Sequence, residues 1–284
     1  MASKIKVVVP EHGEEFRKFI VAFLERGELN KDMIHKMTHG EYFLRYSRAL
    51  THKTFSKDLA TNYEYEEFFG DRLVNACVTQ YVKERFPQIR NVEWLTKLMQ
   101  NLSSKKILGE IGLEYGYWKY LKYGTILGPK VTEEMLGSET VKQKILGDIF
   151  EALIGVTCDI VNFEGGGNQI GFAICYNIIH SYLQEKSISL NVNDVFDAKS
   201  RLKAIMETHK ELGKLKKVMV TQELAHPTFI EYKTEVKIPR GSHFIKGYGV
   251  DKLKRTSENI AAQEVMDELK KLDAKYVFKA PLLS

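Results

Sequence analysis

Five acidic side chains have the types and spacing that could do chemistry. In Glu64-Tyr-Glu-Glu67-Phe-Phe-Gly70-Asp71, the residues Glu64, Glu67 and Asp71 stand three and four apart, and since each helical residue turns by about 100° they share one helix face. Taken alone, such a stretch reads as a solvated acidic face. A second stretch changes that: Lys144-Ile-Leu-Gly147-Asp148-Ile-Phe-Glu151 sets Asp148 and Glu151 three apart among Ile145, Leu146, Ile149, Phe150, Leu153 and Ile154. A helix so apolar is buried on most sides, and a carboxylate buried there needs a partner or a metal ion. Lys144 is the one evident cation within a helical turn. Glycine precedes aspartate in both stretches, at Gly70 and Gly147, although it costs a helix about 1 kcal/mol relative to alanine. Its repeated use implies that the two helices cross at the Gly-Asp pairs.

Crossing there gathers Glu67, Asp71, Asp148 and Glu151 into the hard oxygen-donor set that Mg2+ prefers, with Mn2+ as its substitute. Two such ions about 4 Å apart can activate a water and stabilise both oxygens of a phosphodiester displacement. A site of this kind requires Asp71 and Asp148 to be neighbours, with ions or water rather than a lysine or arginine between them. Zinc is disfavoured, because His35, His39 and His52 lack ligand spacing as a set and Cys77, Cys158 and Cys175 are dispersed. The scattered thiols read as reduced core residues of an intracellular protein.

The elements that must position these acids are helical. Periodicity predicts an N-terminal helix over 14–26 and further helices around 42–50, 64–86, 92–113, 131–160 and 168–184. Tyr115, Tyr117, Trp118, Tyr120 and Tyr123 are read as core or subunit-seam packing rather than as a base-stacking platform. The polar stretch 187–194 reads as a linker. After it come a helix over 195–210, an extended segment over 214–222, a strand over 230–238 with alternating faces, a turn at Pro239-Arg240-Gly241, a strand over 244–249 and a closing helix over 254–272. Charge divides along the same line. The chain of 284 residues has a net charge of +5, yet residues 195–284 hold 18 basic and 12 acidic side chains, so the excess lies in the C-terminal third and points to a polyanionic partner. The N-terminus resembles neither a secretory nor a transit peptide, and no stretch has the apolar length of a membrane span. A soluble, cytoplasmic protein is expected.

Four blocks in order, Thr51-His52-Lys53-Thr54-Phe55, Glu64 to Asp71, Leu95 to Lys105 and Ile145 to Gly155, resemble the ribonuclease III family over about residues 42–186. The resemblance implies an all-α endonuclease domain that pairs as a homodimer, each site cutting one strand of double-stranded RNA to 5′-phosphate and 3′-hydroxyl ends. It implies that Glu67, Asp71, Asp148 and Glu151 are the catalytic residues and bind Mg2+, with Glu64 near the site. Glu66 stands where the family has leucine, and Gly147 where it has alanine.

The C-terminal α-β-β-β-α order, with Gly247-Tyr-Gly249, Lys254-Arg255 and Ala261-Ala262, resembles a small α+β double-stranded-RNA-binding domain. By that resemblance His226, Lys252, Lys254 and Arg255 contact RNA, the basic pair at a helix N-terminus suiting phosphates. Two extra residues precede the basic pair, Glu258 replaces a basic residue, and Ala204 stands where a minor-groove glutamate is usual. The expected organisation is a multi-domain chain: an N-terminal helical extension over 1–40, the endonuclease domain over 41–186, the linker, the RNA-binding domain over 195–272 and a tail over 273–284. The competing reading is a catalytically inactive relative that binds duplex RNA or serves as a ribosomal structural protein.

Overall fold

The computed structural model describes residues 13–124, 138–165, 167, 169–226 and 230–281. The chain divides into two compact units, Met1–Ser187 and Ile188–Ser284.

The first unit is helical: α1 (Glu14–Glu25), α2 (Lys31–Met37), α3 (Gly40–Ala49), α4 (Glu64–Arg85), α5 (Val92–Leu102), α6 (Lys105–Glu114), α7 (Glu139–Gly165) and α8 (Ile170–Gln184). Helix α7 is its axis. Every residue from Ile145 to Cys158 is buried, the pattern of a helix enclosed on all sides, and α3, α4, α6 and α8 pack around it. Each aliphatic or aromatic side chain buried this fully contributes about 1.5–3 kcal/mol. Helix α1 belongs to the same unit: Phe16, Ile20, Phe23 and Leu24 are buried, and its rings meet Tyr120, Tyr117 and Phe150 at centroid separations of 5.4, 5.0 and 6.4 Å. Tyr117 and Tyr120 are thus core residues. Cys77, Cys158 and Cys175 are buried thiols.

In the first unit two helix boundaries and one additional helix differ from expectation. The helix expected over 92–113 breaks at Ser103-Ser104, where the Ser104 hydroxyl caps α6 by accepting from the Ile107 amide; serine competes for backbone donors and so favours such a start. Helix α2, whose cap Asn30 accepts from the Met33 amide, was not anticipated. The helix expected over 131–160 is described from Glu139 and continues to Gly165; residues 131–137 lie outside the described residues.

The glycines set how the central helices meet. A Cβ on Gly70 would overlap the Glu151 carbonyl, and one on Gly155 would overlap the Glu66 carbonyl, so α4 and α7 touch backbone to backbone through this pair. Gly147 does not join that crossing. Its Cβ position lies 3.1 Å from Lys105 Cα, so it admits the start of α6 instead.

The second unit holds α9 (Ala198–Thr208), β1 (Met219–Ala225), β2 (Ile230–Arg240), β3 (His243–Asp251) and α10 (Lys254–Leu272). The strands form one antiparallel sheet in the order β1-β2-β3, with Val236 opposite Met219 on one side and Gly247 on the other. Thr234, Val236 and Ile238 are buried on the face that the alternation predicts, among Leu202, Ile205, Val265 and Leu269. Gly247 and Gly249 bring α10 against the sheet, since a Cβ at either would overlap the Ala261 or Ser257 carbonyl. The segment expected to be extended over 214–222 begins with a helical turn, Leu215–Val218, before β1. Among the described residues, no helix is long and apolar enough to cross a membrane.

Gly70→Ala should therefore destabilise the protein by about 1–3 kcal/mol, the cost of overpacking an interior, read as a fall in the thermal midpoint. An unchanged midpoint would mean that α4 and α7 do not meet at Gly70.

Candidate metal centre and basic surface

The α4–α7 contact carries the acids with it. Glu67 lies three residues before Gly70 on α4, and Asp148 and Glu151 lie on the part of α7 that Gly70 touches. One carboxylate oxygen from each of Glu67, Asp148 and Glu151 falls within 4.8 Å of the others. Their side chains are 28%, 12% and 1% exposed respectively, so the site opens from Glu67 inward to Glu151. Three convergent carboxylates are a donor set that fits a divalent, oxygen-seeking cation.

Asp71, expected in the set, is not one of the three. Its carboxylate pairs with Arg72 and accepts from Asn75 Nδ2 at 3.0 Å. Four residues beyond Glu67, it lies past Gly70, the point of closest approach. Glu64 pairs with Lys53 at 2.9 Å and raises the lysine above its usual range through that hydrogen bond.

The gap expected to hold no lysine contains Lys105. Its Nζ is 3.0 Å from Glu67 Oε1 and 2.5 Å from Asp148 Oδ1, and it also pairs with Glu151. The partner of the buried acids thus comes from α6, not from Lys144 on their own helix. Burial acts against the Lys105 charge, but Glu151 and Asp148 outweigh it and hold the ammonium protonated above its ordinary range. Burial is also the largest influence on Glu151 and Asp148 and raises both carboxyls despite Lys105. A sequence signal for Lys105 existed. Ser104 starts a helix whose first turn holds Lys105 and Lys106 and no acid, a placement that opposes the helix dipole and implies an acidic partner elsewhere.

Tyr63, also missed, donates its hydroxyl to Asp148 Oδ2 at 3.4 Å. It is held by the segment before α4. The His52 amide donates to the Lys122 carbonyl at 2.8 Å and the Tyr63 amide to the Thr51 carbonyl at 3.0 Å. His52 itself is buried, with Nδ1 2.7 Å from Thr54 Oγ1 and its ring against Tyr63.

In the second unit, Arg255 Nη2 pairs with Asp197 Oδ2 at 2.9 Å, but the arginine remains 74% exposed. Lys252 and Lys254 are exposed, and His226 Nε2 lies 3.8 Å from Glu231 Oε2. Glu258 is buried against Lys199 Nζ at 2.6 Å. Lys199, Lys203, Lys214, Lys217 and Lys254 line one groove of this unit, a concentration of positive charge on one surface.

The first unit is thus a helical core in which two crossing helices converge their carboxylates on one point. Residues 45–182 match the family model described as Ribonuclease-III-like. A protein of Frog virus 3, provisionally named ribonuclease 3, is 29% identical over 170 residues, covering 59% of this chain and 43% of that protein's own length. One of Invertebrate iridescent virus 6, named in the same way, is 26% identical over 276 residues, covering 91% of this chain and 88% of that protein. Ribonuclease 3 of Marinomonas sp. is 26% identical over 226 residues, covering 79% and 89%. The nuclease domain of Campylobacter jejuni ribonuclease III, whose structure is described as showing flexibility in a region involved in dimer formation, is 24% identical. That likeness covers 54% of this chain and 98% of that one, at a TM-score of 0.39 that is too low to carry the fold by itself. Residues 45–182 therefore form a ribonuclease-III-like domain, and the curated relatives named ribonuclease 3 support an endoribonuclease of that family.

His52 gives a pH test of the segment that seats Tyr63. Burial, aided by Lys53 and opposed by Glu64, lowers its pKa from 6.5 to about 4. A histidine whose folded pKa is depressed contributes stability that is complete above the unfolded value and is lost as pH falls through the folded one. Between pH 6.5 and about 4 the wild type should therefore lose stability to denaturant, and His52→Asn should lose less. An NMR titration of the His52 ring with a midpoint near its unperturbed value would show that the segment is open.

Proposed function

We propose that the protein is a Mg2+-dependent endonuclease of double-stranded RNA that works as a homodimer, with its C-terminal unit holding the duplex. The observation that carries this is the convergence of Glu67, Asp148 and Glu151 from two distant stretches onto one point, in a chain with a ribonuclease-III-like domain. A divalent ion bound there would activate a water and stabilise the leaving oxygen of the RNA backbone. For their part, the chain's own residues would hold and orient that ion: Glu151 from the buried end, Asp148 steadied by Tyr63, and Glu67 from the open side. Asp71 would join only by leaving Arg72 and Asn75, and Glu64, tied to Lys53, would serve at the margin.

The α10 N-terminus and the lysine-lined groove support duplex binding by the second unit, because phosphate contacts supply most of the sequence-independent affinity for nucleic acid. Arg255 would exchange Asp197 for a phosphate, the exposed Lys254 and Lys252 would contact a backbone, and His226 would approach the minor groove. For dimerisation, Tyr65, Phe68 and Phe69 on α4 are 56%, 56% and 47% exposed. Together with the exposed Leu44 and Leu59 they are large apolar residues suited to burial against a second copy. The second reading, an inert duplex-binding relative, is favoured by one observation, Lys105 lying among the acids.

Long duplex RNA incubated with the protein should be cut in Mg2+ and left intact in Ca2+, and intact RNA in both would favour the inert reading. Glu151→Gln should keep RNA affinity while cutting falls by more than about a hundredfold, beyond the roughly 10–100-fold typical for loss of a residue that only supports a metal ligand; equal cleavage by mutant and wild type would remove Glu151 from the chemistry. Sedimentation should give twice the 32.7 kDa chain mass, reduced to one chain by Phe68→Asp. A wild-type monomer would refute the homodimer.

A further inference from the structure

We propose that Lys105 is a stand-in cation that keeps Glu67, Asp148 and Glu151 assembled until a divalent ion displaces it, an inference that rests on the metal centre proposed above. One ammonium group touches one oxygen from each of the three carboxylates, which is the position a shared metal ion would take. Without a cation the three carboxylates would repel one another, and the inner one could not face solvent, since the Glu151 side chain is 1% exposed. Lys105 thus holds the ligands in register in the metal-free protein.

The build of the residue separates a fixed part from a movable one. Its backbone is pinned: Ser104 caps α6 immediately before it, and its Cα packs so close to Gly147 that a Cβ there would lie 3.1 Å away. Its side chain is 32% exposed and ends in a flexible four-carbon stem, so the ammonium can swing toward solvent while α6 stays in place. A permanent structural ion pair would be sealed in, whereas this one is open on the Glu67 side. An incoming divalent ion needs the same oxygens that the ammonium contacts, so binding is an exchange. Lys105 is in this sense a positioning residue: it prepares the ligand set and yields it.

Calorimetric titration of the full chain with Mn2+ tests the exchange. Lys105→Met should bind Mn2+ about tenfold tighter than wild type or more, equivalent to about 1.4 kcal/mol, because no ammonium has to leave, and should melt at a lower temperature than wild type in EDTA. A lysine with a purely structural role would reproduce the lower melting temperature but not the tighter binding, so equal or weaker Mn2+ affinity in K105M overturns the inference. If K105M does not fold in EDTA, the wild type carries the test: acetylation of Lys105 by an amine-reactive ester, followed by mass spectrometry, should rise several-fold when Mg2+ is added, and an unchanged yield overturns the exchange. Wild-type protein that binds no Mn2+ at all would overturn the metal centre itself, a result distinct from either.

Discussion

The backbone contact between α4 and α7 determines where everything else in the first unit can be. Gly70 lies against the Glu151 carbonyl and Gly155 against the Glu66 carbonyl, and no other residue has a side chain small enough for either place. Helices normally pack with their axes 8–10 Å apart, and glycine at both contact points admits an approach at the close end of that range. The approach brings side chains from opposite helices, Glu67 on one side and Asp148 and Glu151 on the other, to within reach of a single ion. The carboxylate cluster is thus a consequence of helix packing, and the apolar burial of α7 supplies the energy that holds like charges together.

Charge compensation follows from the same packing. A carboxylate as deeply buried as Glu151 carries a large desolvation cost, and the cluster meets it with Lys105 from a third helix, while Gly147 opens the space through which that helix enters. Tyr63 adds a neutral donor to Asp148. Among the described residues, the cation that touches all three acids, Lys105, thus comes from outside the two helices that bear them.

This explains which parts could be read from the sequence. The acid spacings, the apolar run around Asp148 and the strand alternation at 230–238 are local periodicities, and each corresponds to an element in the structure. The glycine before each aspartate was rightly read as a sign of close approach, but Gly147 turned out to serve α6 and Gly155 to complete the pair with Gly70, since which helix faces a glycine depends on tertiary arrangement. Lys105 lies 38 residues from Glu67 and 46 from Glu151, a separation that no helical-turn argument spans. Asp71 shows the converse. It shares a face with Glu67 by spacing, yet one turn further along the axis carries it past the crossing and toward Asn75. The break at Ser103-Ser104 was hidden because apolar periodicity continues on both sides of a capping residue.

The 27-residue length of α7 has a consequence for how this protein can vary. Because each helical residue adds about 100° of rotation, gaining or losing one residue between Gly147 and Gly155 would turn one contact surface away from the other and carry Glu151 out of the cleft. That interval tolerates substitution far more readily than any change of length. The segment that joins α3 to α4 is under no such helical phase constraint, but it seats Tyr63 on Asp148 through the Tyr63–Thr51 and His52–Lys122 backbone bonds, so a change of length there must preserve those contacts.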